Sequence, residues 1–162
     1  KLARRIPSSS GERDLIDRSD RIFCSSRKVK FLEMEYGIPF DAVPDAMARI
    51  AALIATLPFP PLFPIEVRTS ASDDIPLSTA SGRASGWIAV HQYRGAPYEA
   101  YFQGVENIMN DYAGRPHWGK INTMTTAQFK PHYPKWNDFN EVRKELDPHG
   151  KFLNSYLQSL FS

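Results

Sequence analysis

The feature that most constrains this chain is a change of hydrophobic period between residues 29 and 57. From Val29 to Ile38 the residues alternate: Lys30, Leu32, Met34 and Tyr36 fall on one face, and Val29, Phe31, Glu33 and Glu35 on the other. That is the period of a strand, and Gly37-Ile38-Pro39 ends it. Val43, Met47, Ile50, Ala51, Ile54 and Leu57 then recur at helical spacing, with Asp41 placed to cap the helix and Pro58, Pro60 and Pro61 to stop it. A strand feeding directly into an amphipathic helix needs a layered fold, because each element has one apolar side to bury.

The rest of the chain extends the same plan. Phe63–Ser70 reads as a second strand, Asp73–Arg83 as a loop with Pro76 and Gly82, and Trp87–Tyr93 as a third strand ended by Gly95-Ala96-Pro97. Pro97 suits the first position of a helix, and Tyr98, Tyr101, Phe102, Val105, Met109 and Tyr112 form its apolar stripe. A further strand near Ile121–Met124 would complete a split βαβ plan. The predicted class is α+β, an antiparallel sheet with helices on one face, followed by a helical C-terminal segment. In that segment Thr126–Tyr133 reads as a short helix closed by Pro134. Asp138 and Glu141 are spaced as a capping box for the next helix, whose apolar contacts are Phe139, Val142 and Leu146. Asp147-Pro148-His149-Gly150 is a turn. Phe152, Tyr156, Leu157, Leu160 and Phe161 make a last apolar helix that needs a surface to dock on.

Composition narrows the function classes. Hydrophobic residues make up 42% and charged residues 23%, as in ordinary globular domains. The longest apolar candidate, Ala46–Leu57, is short of a membrane span and interrupted by Arg49. A single cysteine, Cys24, excludes an internal disulfide and a multi-cysteine zinc site, and points to a reducing, cytoplasmic compartment. Residues 1–30 hold nine Lys/Arg against four acids, whereas the remainder carries a net charge of −3. Residues 1–28 read as a solvated lead-in segment; a nucleic-acid role would need an aromatic stacking platform that they lack. The opening has neither an initiator Met nor a signal-peptide pattern, as expected for the later part of something longer.

Two clusters carry possible chemistry. Glu66 and Arg68 are separated by one residue and so project from the same strand face, as do His91 and Tyr93. If the two strands pair across the Asp73–Arg83 loop, carboxylate, guanidinium, imidazole and phenol converge. Such a face can hold a polyhydroxylated ligand and move a proton from one of its hydroxyls. The blander reading is a surface salt bridge beside two exposed polar residues. The second cluster is Arg115-Pro116-His117-Trp118-Gly119-Lys120, in which Gly119 allows close backbone approach and Lys120 can stabilise developing negative charge. Glu33 and Glu35 also share a face, but carboxylates along one exposed strand face are ordinary. His91, His117, His132 and His149 form neither HxH nor HExxH, which points away from a metal site. There is no Walker loop, GxGxxG or GxSxG pattern.

Taken in order, Phe63-Pro64-Ile65-Glu66-Val67-Arg68, Ile88-Ala89-Val90-His91-Gln92-Tyr93, Arg115 to Lys120, Tyr133-Pro134, and Leu146-Asp147-Pro148 through Gly150-Lys151-Phe152-Leu153-Asn154 resemble the C-terminal part of the sugar-1,4-lactone oxidases and dehydrogenases. These are FAD enzymes of the vanillyl-alcohol oxidase type. They include gulono- and arabinono-lactone oxidases and alditol oxidase, and the likeness is greatest to the bacterial L-gulono-1,4-lactone enzymes. The resemblance implies a cap domain over residues 29–125 and a segment, 126–162, that docks on an N-terminal FAD-binding portion supplied elsewhere. It implies oxidation of the C2 hydroxyl of an aldonolactone, with hydride passing to flavin N5. Glu66 and Arg68 would be catalytic and, with His91 and Tyr93, substrate-binding; His117, Lys120 and Asn154 would face the cofactor. Tyr93 stands where alditol oxidases carry threonine, which favours a lactone over an alditol. A non-catalytic α+β module holding a small sugar or acid remains the alternative from the residues alone.

Overall fold

The computed structural model describes residues 16–22 and 28–161. Most of the predicted lead-in segment lies outside these residues; within the described part, Ser19–Ile22 (α1) forms one helical turn instead of the expected loop. Then come β1 (Phe31–Pro39), α2 (Val43–Thr56), β2 (Glu66–Ser70), β3 (Ser85–Tyr93), α3 (Glu99–Asn110) and β4 (Arg115–Pro116). Three helices follow: α4 (Thr126–Phe129), α5 (Trp136–Leu146) and α6 (Ser155–Phe161). The four strands form one antiparallel sheet in the order β2-β3-β1-β4.

The alternation of β1 decides which way the sheet faces. Met34, Tyr36 and Ile38 are buried beside Ile88 and Val90 of β3, under Ala46 and Ile50 of α2 and Tyr101, Phe102, Val105 and Met109 of α3. Two glycines let these layers close. A Cβ on Gly86 would stand 2.1 Å from Val43 Cγ2, and one on Gly104 would stand 2.6 Å from Leu53 Cδ2. Both glycines therefore mark close approaches, of strand to helix and of helix to helix. Within this apolar layer Glu106 is also buried. Its carboxylate accepts hydrogen bonds from the Tyr36 hydroxyl, the Thr123 hydroxyl and the Thr123 amide, the last at 2.8 Å.

Several boundaries differ from the sequence reading. Asp41 does not cap α2; residues 40–42 form a 3₁₀ turn, and Pro44 sits in the first helical turn, where its missing N–H costs nothing. The second strand starts at Glu66, after Pro64, which cannot donate to a ladder. Pro97 lies two residues before α3, and its carbonyl accepts from Gln92 Nε2. The strand expected at Ile121–Met124 is absent. The pairing positions on β1 opposite Tyr36 and Gly37 are taken by Arg115–Pro116, and Thr123 is drawn to Glu106.

In the C-terminal segment the capping box is Thr125 with Gln128 at α4, not Asp138 with Glu141. Helix α5 begins earlier because Trp136 is buried and anchors its first turn. The turn at 147–150 forms as expected, with the Asp147 carboxylate accepting the amides of Lys151 and Phe152 at 2.8 and 2.9 Å. Phe152 is not part of α6 and is 84% exposed, whereas Leu160 and Phe161 are buried. The last helix therefore docks on the chain's own aromatic cluster of Trp118, Phe129, Tyr133 and Trp136; the Trp136 and Phe161 rings stack with centroids 4.7 Å apart.

Candidate active site

The face of the sheet opposite the helices is polar, and its residues follow from strand register. Glu66 and Glu35 both stand opposite Ala89, Arg68 stands opposite Trp87, and Glu33 stands opposite His91. Directly opposite residues in antiparallel strands share a face. Glu66, Arg68, His91 and Tyr93 therefore lie on one face, and Glu33 and Glu35 lie there with them.

Lys120 reaches this face through an interruption of the ladder. The His117 amide donates to the Glu35 carbonyl at 2.9 Å, and the Ile121 amide donates to the Glu33 carbonyl at 3.0 Å. Four residues on this edge thus span what two span on β1, so residues 118–120 bulge out. The bulge separates the side chains. Trp118 turns into the C-terminal aromatic cluster and donates from Nε1 to the Leu77 carbonyl at 3.1 Å. Lys120 turns over the sheet.

The result is a chain of alternating charges. Arg68 Nε lies 3.3 Å from Glu66 Oε1, and Arg68 Nη2 binds Glu35 Oε1. Lys120 Nζ binds Glu35 Oε2 and lies 2.6 Å from Glu33 Oε1, and that same Glu33 oxygen is 3.1 Å from His91 Nε2. Glu35 is 1% exposed. Burial alone would raise its pKa, but the hydrogen bonds from Arg68 and Lys120 outweigh that and hold it below the usual carboxylate range. The Arg68 pKa is raised, chiefly by its bond to Glu35. For Lys120 burial works to lower the pKa, and the bonds to Glu33 and Glu35 more than reverse it. At neutral pH the site therefore presents fixed cations beside Glu66, a carboxylate that stays more than half exposed.

The remaining predicted residues are placed differently. Tyr93 ends β3 half-exposed, its ring 4.3 Å from Phe63; Phe31, Phe63 and His91 complete an aromatic wall at that end of the face. His117 accepts the Gly119 amide on Nδ1 at 3.1 Å. It lines a shallow cleft of about 320 Å³ with Arg68, Thr69, Ser70 and Trp87. Asn154 caps α6, its side-chain oxygen accepting the Leu157 amide at 2.9 Å, and it lies on a different element from the sheet face. The residues that the sequence reading set aside are Glu33 and Glu35. Their shared face was legible; that β1 is an inner strand, with cations arriving from both sides, was not. Among the described residues no group of three His, Cys, Asp or Glu is arranged to hold a metal ion, and no helix is long and apolar enough to cross a membrane.

Comparison with known proteins shows what the chain is similar to. The family model for D-arabinono-1,4-lactone oxidase matches residues 2–160. L-gulono-1,4-lactone dehydrogenase of Mycobacterium tuberculosis is 51% identical over 140 residues, covering 86% of this chain and 33% of that protein. L-gulonolactone oxidase of Mus musculus is 34% identical over 148 residues, covering 88% and 34%. Alditol oxidase of a Streptomyces species is 37% identical over 136 residues, covering 80% and 31%. The chain spans about a third of the length of these relatives. Family members are FAD-dependent flavoproteins. A match over nearly the whole chain identifies it as belonging to the D-arabinono-1,4-lactone oxidase family.

Proposed function

We propose that this chain is the substrate-side portion of an FAD-dependent oxidoreductase acting on the C2 hydroxyl of an aldono-1,4-lactone such as L-gulono-1,4-lactone. The observation that carries the reading is the ion network from Glu66 through Arg68, Glu35, Lys120 and Glu33 to His91, set on a sheet face beside an aromatic wall. FAD, when bound, supplies the hydride acceptor at its N5. The residues present fit the polar edge of such a group: Lys120 and Arg68 are cations already fixed in place, and His117 lines a cleft with Arg68. Glu66 takes the hydroxyl proton as C2–H leaves as hydride. Its exposure lets it reach substrate, unlike Glu35. Arg68 orients the reacting hydroxyl, and His91 and Tyr93 contact the sugar ring from the aromatic end. Lys120 stabilises negative charge that develops at the cofactor edge. The 2-keto lactone tautomerises to an ascorbate-type enediol.

The same reading assigns residues 29–125 to a cap domain and makes 126–162 the segment that meets an N-terminal FAD-binding portion. A groove of about 700 Å³ lined by Ile75, Phe139, Val142, Leu146 and Phe152 is the apolar face offered to that portion. The single cysteine fits a cytoplasmic enzyme. Turnover of L-gulono-1,4-lactone by the complete flavin-loaded enzyme tests the proposal. Glu66→Gln is expected to slow it by roughly a hundredfold or more with flavin content unchanged. Near-normal rates in that variant would remove Glu66 from the chemistry. A wild-type flavin that does not bleach with any aldonolactone would overturn the substrate class.

A further inference from the structure

The three carboxylates on the polar face are not equivalent. The Glu66 side chain is 55% exposed, that of Glu33 is 24% exposed, and that of Glu35 is completely covered. Each Glu35 oxygen has its own cation, Oε1 with Arg68 and Oε2 with Lys120. Glu35 therefore has neither a free oxygen nor the access to touch substrate. Arg68 comes from the edge strand β2, and Lys120 comes from the bulge on the opposite edge. Strands lie about 4.8 Å apart, so the two cations start well separated and meet only because the inner strand β1 carries Glu35 between them. Arg68 must also pass over β3 to reach it. The cross-strand row from Glu66 to Glu35 runs through Ala89, whose side chain is a single methyl group, and the Arg68 guanidinium lies 5.9 Å from the ring centroid of Trp87, its direct partner on β3.

We propose that Glu35 is a positioning residue that clamps Arg68 and Lys120 at a fixed spacing beside Glu66, and that Ala89 is the gap through which the clamp closes. This deepens the reading in which Glu66 and Arg68 face the substrate and Lys120 faces the cofactor edge, and it rests on that reading. The clamp fixes both cations before substrate binds, so its effect appears in binding and orientation. With Glu33 it also favours the charged form of Lys120 against burial. The charged groups on that ammonium are Glu33 and Glu35 from β1; Glu35 also holds Arg68 of β2, which pairs with Glu66, and Glu33 also meets His91 of β3. Only Glu33 and Glu35 bind it directly.

Two measurements on the complete flavin-loaded enzyme test this. The first follows acylation of Lys120 with acetic anhydride by peptide mass spectrometry, with the exposed Lys130 and Lys144 as internal references. Only the neutral amine reacts, so Glu35→Gln is expected to speed labelling of Lys120 by about tenfold near pH 9. The midpoint of its labelling profile and the alkaline limb of kcat/KM are expected to fall together. Unchanged Lys120 labelling in a Glu35→Gln enzyme of normal flavin content overturns the clamp. The second uses Ala89→Val, which leaves every charge in place. It is expected to raise KM for L-gulono-1,4-lactone by about tenfold while kcat changes by less than about threefold. Should Glu35→Gln fail to fold, an unaltered KM in Ala89→Val overturns the proposal. Labelling of Lys120 does not depend on which substrate is oxidised. A wild-type enzyme inactive on lactones therefore removes the functional reading, and the labelling result still decides the clamp.

Discussion

Two glutamates, Glu35 and Glu106, are each 1% exposed, and they lie on opposite sides of the same sheet. Glu106 sits among the helices and is satisfied by neutral donors: the Tyr36 hydroxyl and the amide and hydroxyl of Thr123. Those donors tie β1, α3 and the 123 region together, so Glu106 works as a rivet. The Tyr36 hydroxyl answers by burial and by the adjacent carboxylate, which together push its pKa far above the ordinary phenol value. Glu35 sits on the open side and is satisfied by Arg68 and Lys120. A buried carboxylate needs either a full set of hydrogen bonds or opposite charge, and this molecule uses one solution among its helices and the other on its polar sheet face.

The contrast is sharpened most by removing each carboxylate. Glu106→Ala leaves the buried Tyr36 hydroxyl without its acceptor and removes both Thr123 bonds, and it is expected to cost about 3 kcal/mol of stability, measured by denaturant unfolding of the complete enzyme. Glu35→Ala is expected to cost less, about 2 kcal/mol, because Arg68 is half-exposed and recovers solvent. Its larger effect should fall on kcat/KM. Equal stability losses would erase the distinction between rivet and clamp.

Packing on the helical side gives a smaller and reversible effect. Gly86→Ala drives a methyl into Val43 and is expected to destabilise by about 1–3 kcal/mol, with Val43→Ala restoring part of the loss in the double variant. Acid should act mainly on the polar side. The folded-state pKa of Glu35 lies below its unfolded value. The stability it contributes is therefore complete above the unfolded pKa and is lost as pH falls through the folded one. Thermal midpoints measured below about pH 4 are expected to drop in wild type and to drop less in Glu35→Gln. The smallest effect is expected at Phe152→Ser, within about 0.5 kcal/mol, because that ring touches water; a larger loss on joining the FAD-binding portion would locate the docking groove.

Much of the fold could be read from periodicity. Met34 and Tyr36 on one side of β1 and Glu33 and Glu35 on the other follow from a strand's two-residue repeat, and the stripes of α2 and α3 follow from 3.6 residues per turn. Glu66 with Arg68, and His91 with Tyr93, were paired by the same repeat. Helix starts were less legible. Capping is a local preference, and burial of Trp136 and the first-turn proline of α2 overrode the caps suggested by Asp138 and Asp41. The strand expected at Ile121–Met124 failed for a similar reason: Glu106 offered Thr123 a better partner than the edge of the sheet.

By itself the sequence determined which residues share a face, because side-chain direction along a strand or helix depends only on local backbone geometry. It also carried the ordered motifs that mark the family. Only the tertiary structure decided that β1 lies inside the sheet, that a bulge sends Trp118 and Lys120 to different neighbours, and that Arg68 reaches Glu35. Those outcomes depend on strand order and on contacts between residues up to 87 positions apart, which no local period encodes. Glu35 reads as an ordinary surface carboxylate until Arg68 and Lys120 arrive from opposite edges and cover it.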